Sequence, residues 1–350
     1  MLSPLLPSVD RWRSLTMQGQ REEIQTFVKD APVTSDSLRS LRIYIQQGFL
    51  EDVPNETFVP HGPEYAMQVW LEQLPRSRLL APLRFTTINI MEEFFSDVHS
   101  QPIDILDFLS ACPELEAFHY TGWHHNDDPP TEPLPVVSLP NLHTLHLKST
   151  CMARSILSSL YTPRLTDLYL AHLNVELELR GEYHEEGDSE DDAQDFSQSP
   201  SSDHATGMGL RKLIARSHPP LVVLDMDFSD MRTKDFKYLF DRLPYLQEFL
   251  IVASDMSDTV IRLLRPFTLS GDDGTIHTRL PRLRRLGLYN CQRLSGDAIV
   301  EALSTRVQHT DNGPLGTNTL TDVAISACEG FTAEHGHILT ERLGRRFRQS

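Results

Sequence analysis

Apolar residues recur along this chain in a fixed triplet: one apolar residue, two others, a second apolar residue, one other, and a third, often after a proline. The second and third positions are two residues apart, and alternate residues of a β-strand share one face. Each triplet therefore predicts a short strand; Leu145 and Leu147 point into the core, while Thr144, His146 and Lys148 point out. The copies are Trp12-Leu15-Met17, Leu38-Leu41-Ile43, Phe85-Ile88-Ile90, Leu115-Phe118-Tyr120, Leu142-Leu145-Leu147, Leu165-Leu168-Leu170, Leu221-Leu224-Met226, Leu246-Phe249-Ile251, Leu283-Leu286-Leu288 and Leu320-Val323-Ile325.

Helical periodicity follows most of these strands, over residues 153–160, 233–243, 257–267, 296–307 and 332–347. Triplets begin 23 to 56 residues apart, and the shorter intervals match the unit of roughly 20–29 residues found in leucine-rich repeats. The longer intervals then hold insertions. The pattern predicts an α/β leucine-rich-repeat solenoid, a curved parallel sheet with helices on the convex side, of about ten irregular repeats in one domain over 1–350. An ordinary βαβ sheet would also alternate strands and helices, but it would not need the same triplet each time.

One segment departs from this pattern. Residues 176–203 hold eleven carboxylates and one arginine, which is −10 of the chain's net charge of −17. With few apolar residues it buries too little surface to offset its ordering entropy. We predict a disordered acidic insertion over 176–209. It either recruits a basic partner or is phosphorylated at Ser189 or Ser197, or it is a solvated surface insertion, the simpler interpretation.

Composition limits the function. The negative charge argues against binding the phosphate backbone of nucleic acid, and no run approaches the ~18 apolar residues of a membrane span. Four scattered cysteines without a Cys-x-x-Cys motif or a secretory segment indicate a reducing compartment, cytoplasmic or nuclear. Cys291 and Cys328 lie at strand exits, where buried thiols are expected.

The search for chemistry yields little. No nucleophile elbow, phosphate-binding glycine loop or zinc-protease motif occurs. His124 and His125, followed by Asn126, Asp127 and Asp128, form the densest ligand-like cluster, but further metal ligands are not placed by spacing. We therefore predict a non-enzymatic protein without catalytic residues, metal or cofactor. A metal-dependent or hydrolytic site near 119–128 is the enzyme alternative.

Outward strand positions of neighbouring repeats align in rows on the concave face of a solenoid. The central row places His119, His146 and Tyr169 side by side, an aromatic and protonatable patch. Arg285 lies between Glu248 and Asp322 in a flanking row, where it either meets a partner or only pairs with its neighbours. The candidate partner-binding residues are His119, His146, Tyr169, Asp167, Asp225, Asp227, Arg285 and Tyr289.

Two segments carry a family resemblance. Residues 288–299, Leu-Tyr-Asn-Cys-Gln-Arg-Leu-Ser-Gly-Asp-Ala-Ile, resemble the cysteine-containing leucine-rich repeat of F-box proteins. Residues 5–15, Leu-Leu-Pro-Ser-Val-Asp-Arg-Trp-Arg-Ser-Leu, are similar to the segment after the F-box in fungal F-box/leucine-rich-repeat proteins of the mushroom type.

This resemblance implies that the repeats hold a protein substrate for a cullin–RING ubiquitin ligase. The F-box, which docks onto the ligase adaptor, does not precede Trp12, so adaptor binding requires an F-box upstream. We expect either a divergent protein that lost its F-box or a start assigned too far downstream. The alternative is a free-standing leucine-rich-repeat scaffold without a ligase role.

Overall fold

The structure is a computed structural model of the chain. It describes residues 11–20, 40–46, 67–71, 85–91, 100–122, 134–148, 153–171, 206–227, 231, 233–254, 256–268, 275–313 and 318–349. Twelve strands within these ranges form one sheet in which all neighbours are parallel and follow one another in chain order.

The strands of this main sheet are β1 (Ser14–Gln20), β2 (Ser40–Gln46), β3 (Met67–Leu71), β4 (Phe85–Met91), β5 (Ala117–Thr121), β7 (Thr144–Lys148), β9 (Asp167–Ala171), β10 (Val223–Asp227), β11 (Glu248–Val252), β14 (Arg285–Tyr289), β15 (Asp322–Ser326) and β16 (Phe347–Gln349). Two short pairs lie outside it. One is parallel, β6 (Val137–Ser138) with β8 (Leu160–Tyr161). The other is an antiparallel hairpin, β12 (Phe267–Thr268) with β13 (Ile276–His277).

Seven α-helices lie between the main strands of the described ranges. They are α1 (Pro102–Ser110), α2 (Ala153–Ser158), α3 (Thr206–Ser217), α4 (Thr233–Arg242), α5 (Asp258–Arg262), α6 (Gly296–Asp311) and α7 (Ala333–Leu343). The buried apolar residues of these helices and the inward residues of the strands from β4 onward belong to one apolar cluster that extends from Ile88 to Phe347. The helices therefore cover one face of the sheet and leave the other face open. The α/β class predicted from the sequence is confirmed.

All ten predicted strands are present, and the alternation follows the triplets in the strands whose side chains the structure describes throughout. The alternation is half-buried, buried, half-buried, buried, half-buried in each of β5, β7, β9, β10 and β11. Leu145, Leu147, Leu168 and Leu170 are at most 1% exposed. Because successive strand side chains point to opposite faces, a two-residue spacing directs both into the core.

Two main strands were not predicted. β3 pairs with β2 and β4 and divides the longest N-terminal interval, where the triplet pattern predicts only an insertion. The register places Val69 opposite Leu41. The residue three before Val69 in the sequence is the small Ala66 in place of a leucine, which weakens the pattern. β16 pairs with β15, Phe347 lying opposite Val323. The helix predicted over 332–347 ends at Leu343, where Gly344 with φ of +60° breaks it.

Other predicted helices also differ in extent. The helix expected over 257–267 covers only Asp258–Arg262, and the chain then enters the hairpin of β12 and β13. Helices α1 and α3 were not predicted. Residues 206–209, included in the predicted disordered insertion, belong to α3, with Thr206 and Gly207 buried. The end of the insertion at 209 is therefore wrong; its residues 176–205 lie outside the described residues.

Candidate functional site

The open face of the main sheet carries the rows of outward residues predicted from the sequence. In the central row, hydrogen-bonded neighbours align His119 with His146, His146 with Tyr169, Tyr169 with Asp225, and Asp225 with Leu250. The register adds Trp70 between Arg42 and Asn89, and Arg348 after Ala324. Those two positions were missed because the triplets of β3 and β16 are degenerate.

Three rings of the central row contact one another. The ring centroids of His119 and His146 are 5.7 Å apart with an edge-on geometry, and those of His146 and Tyr169 are also 5.7 Å apart. These distances are within the range of favourable aromatic pairs. The structure therefore brings together the His/Tyr patch that the spacing predicted.

The surroundings of the two histidines favour the neutral imidazole. Partial burial lowers the pKa of His119 below its ordinary value. Burial lowers the pKa of His146 as well, and the nearby His119 and Lys148 lower it further. A charged imidazole is disfavoured where the ring loses water and faces other cationic groups.

Next to these rings the open face becomes acidic. The nine outward positions of β9, β10 and β11 hold four carboxylates and no basic residue: Asp167, Tyr169, Ala171, Val223, Asp225, Asp227, Glu248, Leu250 and Val252. Burial raises the pKa of the Tyr169 hydroxyl, and the carboxylates of Asp167, Asp225 and Glu248 raise it further. Three acidic side chains thus act electrostatically on one tyrosine.

Asp225 occupies the centre of this acidic region. Burial raises the pKa of its carboxyl group, with no basic neighbour to oppose the effect in the described part of the chain. Asp167 differs, because it accepts a hydrogen bond of 2.7 Å from the hydroxyl of Thr166. Asp225 is therefore a carboxylate that has lost part of its water without gaining a counter-ion, and such a group favours a cationic ligand.

Arg285 is already engaged by its neighbours. Its guanidinium lies 2.7 Å from Glu248 and 3.5 Å from Asp322, and Asp322 also pairs with Arg348. These four residues form an ion ladder across β11, β14, β15 and β16. Of the two interpretations of Arg285 from the sequence, the geometry favours pairing between strands over contact with a partner.

Tyr289 covers a gap in the open face. A side chain at Gly287 would approach the Tyr289 ring to 2.6 Å and Leu250 to 3.3 Å. The ring of Tyr289 thus lies over Gly287 and occupies the place of a side chain in the central row, next to Leu250. The glycine is required by this close approach, and Tyr289 and Leu250 form the apolar border of the acidic region.

The remaining candidates that the structure describes add no second site. Cys291 and Cys328 are buried as expected, whereas Cys151 and the His124–Asp128 cluster lie outside the described residues. Among the described residues, no group of three or more histidine, cysteine, aspartate and glutamate side chains is placed to hold a metal ion. No helix in the same ranges is long and apolar enough to cross a bilayer.

Comparisons with known proteins do not assign the chain. Neither a family model nor a curated protein matches it.

Proposed function

We propose that the chain is a leucine-rich-repeat solenoid that recognises other proteins through the open face of its sheet. The first support is the repeated geometry on entry to each strand. The amide of the first-position leucine donates to the carbonyl three residues earlier at Leu142, Leu165, Leu246 and Leu283. The residue before each strand also bonds to its counterpart in the preceding unit, as Gln247 N to Val222 O and Arg284 N to Gln247 O, both at 2.8 Å.

The second support is the repeated geometry on leaving each strand. Ala253, Asn290 and Ala327 directly follow β11, β14 and β15, and all three have positive φ, between 46° and 54°. Non-glycine residues rarely adopt this conformation. Its recurrence at equivalent positions means that successive units share one backbone path, as stacked repeats do.

The observation that carries the recognition function is the contiguous central row on the open face. His146 contacts both His119 and Tyr169, and acidic and apolar side chains continue the row to Leu250. Tyrosine is enriched among residues that dominate binding energy at protein interfaces. Rigid strands hold these side chains, so little conformational entropy would be lost on binding.

Within this class we propose the substrate-binding part of an F-box-type ubiquitin-ligase receptor, on the resemblance of residues 5–15 and 288–299. Free thiols at Cys112, Cys291 and Cys328 agree with the reducing cytoplasm or nucleus in which such receptors act. The second candidate, a repeat scaffold without a ligase role, shares the recognition surface and differs only in adaptor binding.

The experiment that separates the two candidates is affinity purification of the protein expressed from its natural transcript, with its natural N-terminus. The ligase-receptor hypothesis predicts that the cullin–RING adaptor co-purifies with the protein in stoichiometric amounts. Co-purification of other partners without the adaptor would favour the scaffold. Mapping the 5′ end of that transcript shows whether an F-box precedes residue 1.

The recognition surface itself is tested with the double substitution of His119→Ala and Tyr169→Ala. Both side chains are half-buried on the open face, so stability should change little, whereas capture of the co-purifying partner should fall at least about tenfold. Tyr245→Ala is the matched control, since that ring is 46% exposed and lies outside the open-face rows. Equal capture by the double variant and the wild type would show that the partner binds elsewhere.

A further inference from the structure

We infer that the open face selects a polypeptide segment carrying an arginine, and that this arginine is received between Tyr169 and Asp225. This inference rests on the proposed recognition function and deepens it by stating the chemistry of the partner. We call the receiving region the acidic–aromatic patch; its residues are Asp167, Tyr169, Asp225, Asp227 and Leu250.

The charge of the patch is the first argument. Four carboxylates and no basic side chain occupy the outward positions of three adjacent strands. Glu248 forms an ion pair with Arg285, whereas no such pair is present for Asp225 among the described residues. Lys148 lies on β7, beyond the acidic strands, opposite Ala171. A negative surface of this kind attracts cationic segments and repels acidic ones.

The position of Asp225 is the second argument. It lies opposite Tyr169 on one neighbouring strand and opposite Leu250 on the other. Neighbouring strands are about 4.8 Å apart, so a planar group resting on the tyrosine ring lies within reach of the aspartate. The carboxylate is partly desolvated and has no basic neighbour in the described ranges. A cation that pairs with it would therefore relieve an existing electrostatic cost.

The shape of the surroundings is the third argument and favours arginine over lysine. His146 contacts the ring of Tyr169 on the β7 side, so a ligand reaches that ring from the side of β10. A guanidinium stacks on an aromatic face and can donate two parallel hydrogen bonds to a carboxylate, while an ammonium is a more strongly hydrated point charge. The apolar border at Leu250 and Tyr289 covers the stem of the arginine side chain.

A metal ion does not account for the same carboxylates. No metal-holding group of three or more side chains is present among the described residues, although Asp167, Asp225, Asp227 and Glu248 are all described. The four carboxylates are distributed along three rows instead of converging on one point. Such a spread fits an extended peptide better than a single ion.

The test uses terminally blocked, fluorescein-labelled glycine/serine peptides that contain two arginines, and matched peptides with citrulline or lysine in their place. Citrulline keeps the size and planarity of arginine but carries no charge. At about 0.15 M salt, where distant charges are screened, we expect fluorescence anisotropy to show binding of the arginine peptide. The citrulline peptide should bind at least about tenfold more weakly than the arginine peptide, and the affinity of the lysine peptide should lie between these two affinities.

Asp225→Asn assigns the binding to the patch, because it removes one charge while keeping the shape. We expect this substitution to weaken binding of the arginine peptide about tenfold without changing the affinity for the citrulline peptide. Asp107→Asn makes the same change at an exposed position on α1 and should leave binding unchanged. Circular dichroism checks that each variant is folded.

Three results would overturn the inference: no binding of the arginine peptide at about 1 mM, equal binding of arginine and citrulline peptides, or equal binding by the wild type and Asp225→Asn. The last result would place any cationic binding elsewhere, the acidic segment over 176–205 included. The proposed function is judged separately. If His119→Ala with Tyr169→Ala loses the natural partner while Asp225→Asn retains it, recognition by the open face stands and the arginine preference fails.

Discussion

Arg306 is a fully buried cation whose removal should measurably loosen the C-terminal part of the fold. The side chain is 0% exposed in the middle of α6. Its guanidinium donates to three backbone carbonyls: to Leu264 at 3.1 Å, to Arg279 at 2.9 Å and to Leu280 at 2.6 Å. These carbonyls lie before and after the β12–β13 hairpin, so Arg306 fastens the base of the hairpin to α6.

The change in the free energy of unfolding caused by removing Arg306 is the balance of its desolvation cost and its hydrogen bonds. Burial lowers the pKa of Arg306 to about 10, so the group remains charged at neutral pH and its desolvation costs several kcal/mol. Each hydrogen bond from a charged donor contributes about 1.5–3 kcal/mol, and three are present. Arg306→Ala removes the desolvation cost together with these bonds, but it leaves three carbonyls without their donor and opens a cavity. We expect a net loss of about 3–5 kcal/mol.

Urea unfolding followed by circular dichroism measures this loss. Arg306→Met keeps most of the volume, so its difference from Arg306→Ala reports the cavity and its difference from the wild type reports the hydrogen bonds. Arg293→Ala is the control, because Arg293 is exposed in the loop between β14 and α6 and its replacement should change stability by less than about 0.5 kcal/mol. Hydrogen exchange should show the largest loss of protection in 264–280.

An Arg306→Ala variant within about 0.5 kcal/mol of the wild type would refute this reasoning. It would mean that the desolvation of the guanidinium cancels its three hydrogen bonds, or that the carbonyls find water once the side chain is removed. Unchanged hydrogen exchange over 264–280 would separately contradict the role of Arg306 in fastening the hairpin.

Three further predictions concern the sheet. Burial depresses the pKa of His119 and His146 in the folded protein, so the unfolded state binds protons at a higher pH and the free energy of unfolding decreases as the pH falls below 6.5. The double variant His119→Asn with His146→Asn should therefore lose less melting temperature than the wild type between pH 6.5 and about 5. An equal loss in the two proteins would contradict this. Ala327 has φ of 54°, so Ala327→Asn should raise the free energy of unfolding by about 0.5–1 kcal/mol, and a loss would show that φ is not the governing strain. Phe347 is 9% exposed and contacts Phe331, so Phe347→Ala should cost about 2–4 kcal/mol in urea unfolding; a cost below about 0.5 kcal/mol would mean that β16 does not close the core.

The sequence predicted the strands wherever the triplet was intact. Leu145 and Leu147 are buried and His146 points outward because strand alternation is a local property that two or three residues fix. The identity of the central row could also be predicted, since units that repeat one triplet must align the same position. β3 and β16 were missed because no large apolar residue stands three before Val69 or Phe347 in the sequence, so sheet pairing rather than local pattern decides that these segments are strands.

Tertiary structure decided which outward residues are available to a ligand. Arg285 and Asp225 look alike in the sequence, as charged residues at outward strand positions. Only the neighbouring strands show that Arg285 is paired with Glu248 and that Asp225 stands beside Tyr169 without a cation among the described residues. Charge pairing depends on which strands become neighbours across insertions of variable length, and that is a non-local property.

The sequence by itself thus determined the period of the chain, its inward and outward residues and its negative charge, because each depends on residues close together in the chain. Tertiary structure alone decided that Arg306 fastens a hairpin, that Tyr289 covers Gly287, and that the acidic and aromatic residues form one surface. These features join residues from different strands and helices, and their free energies depend on burial and distance rather than on residue type.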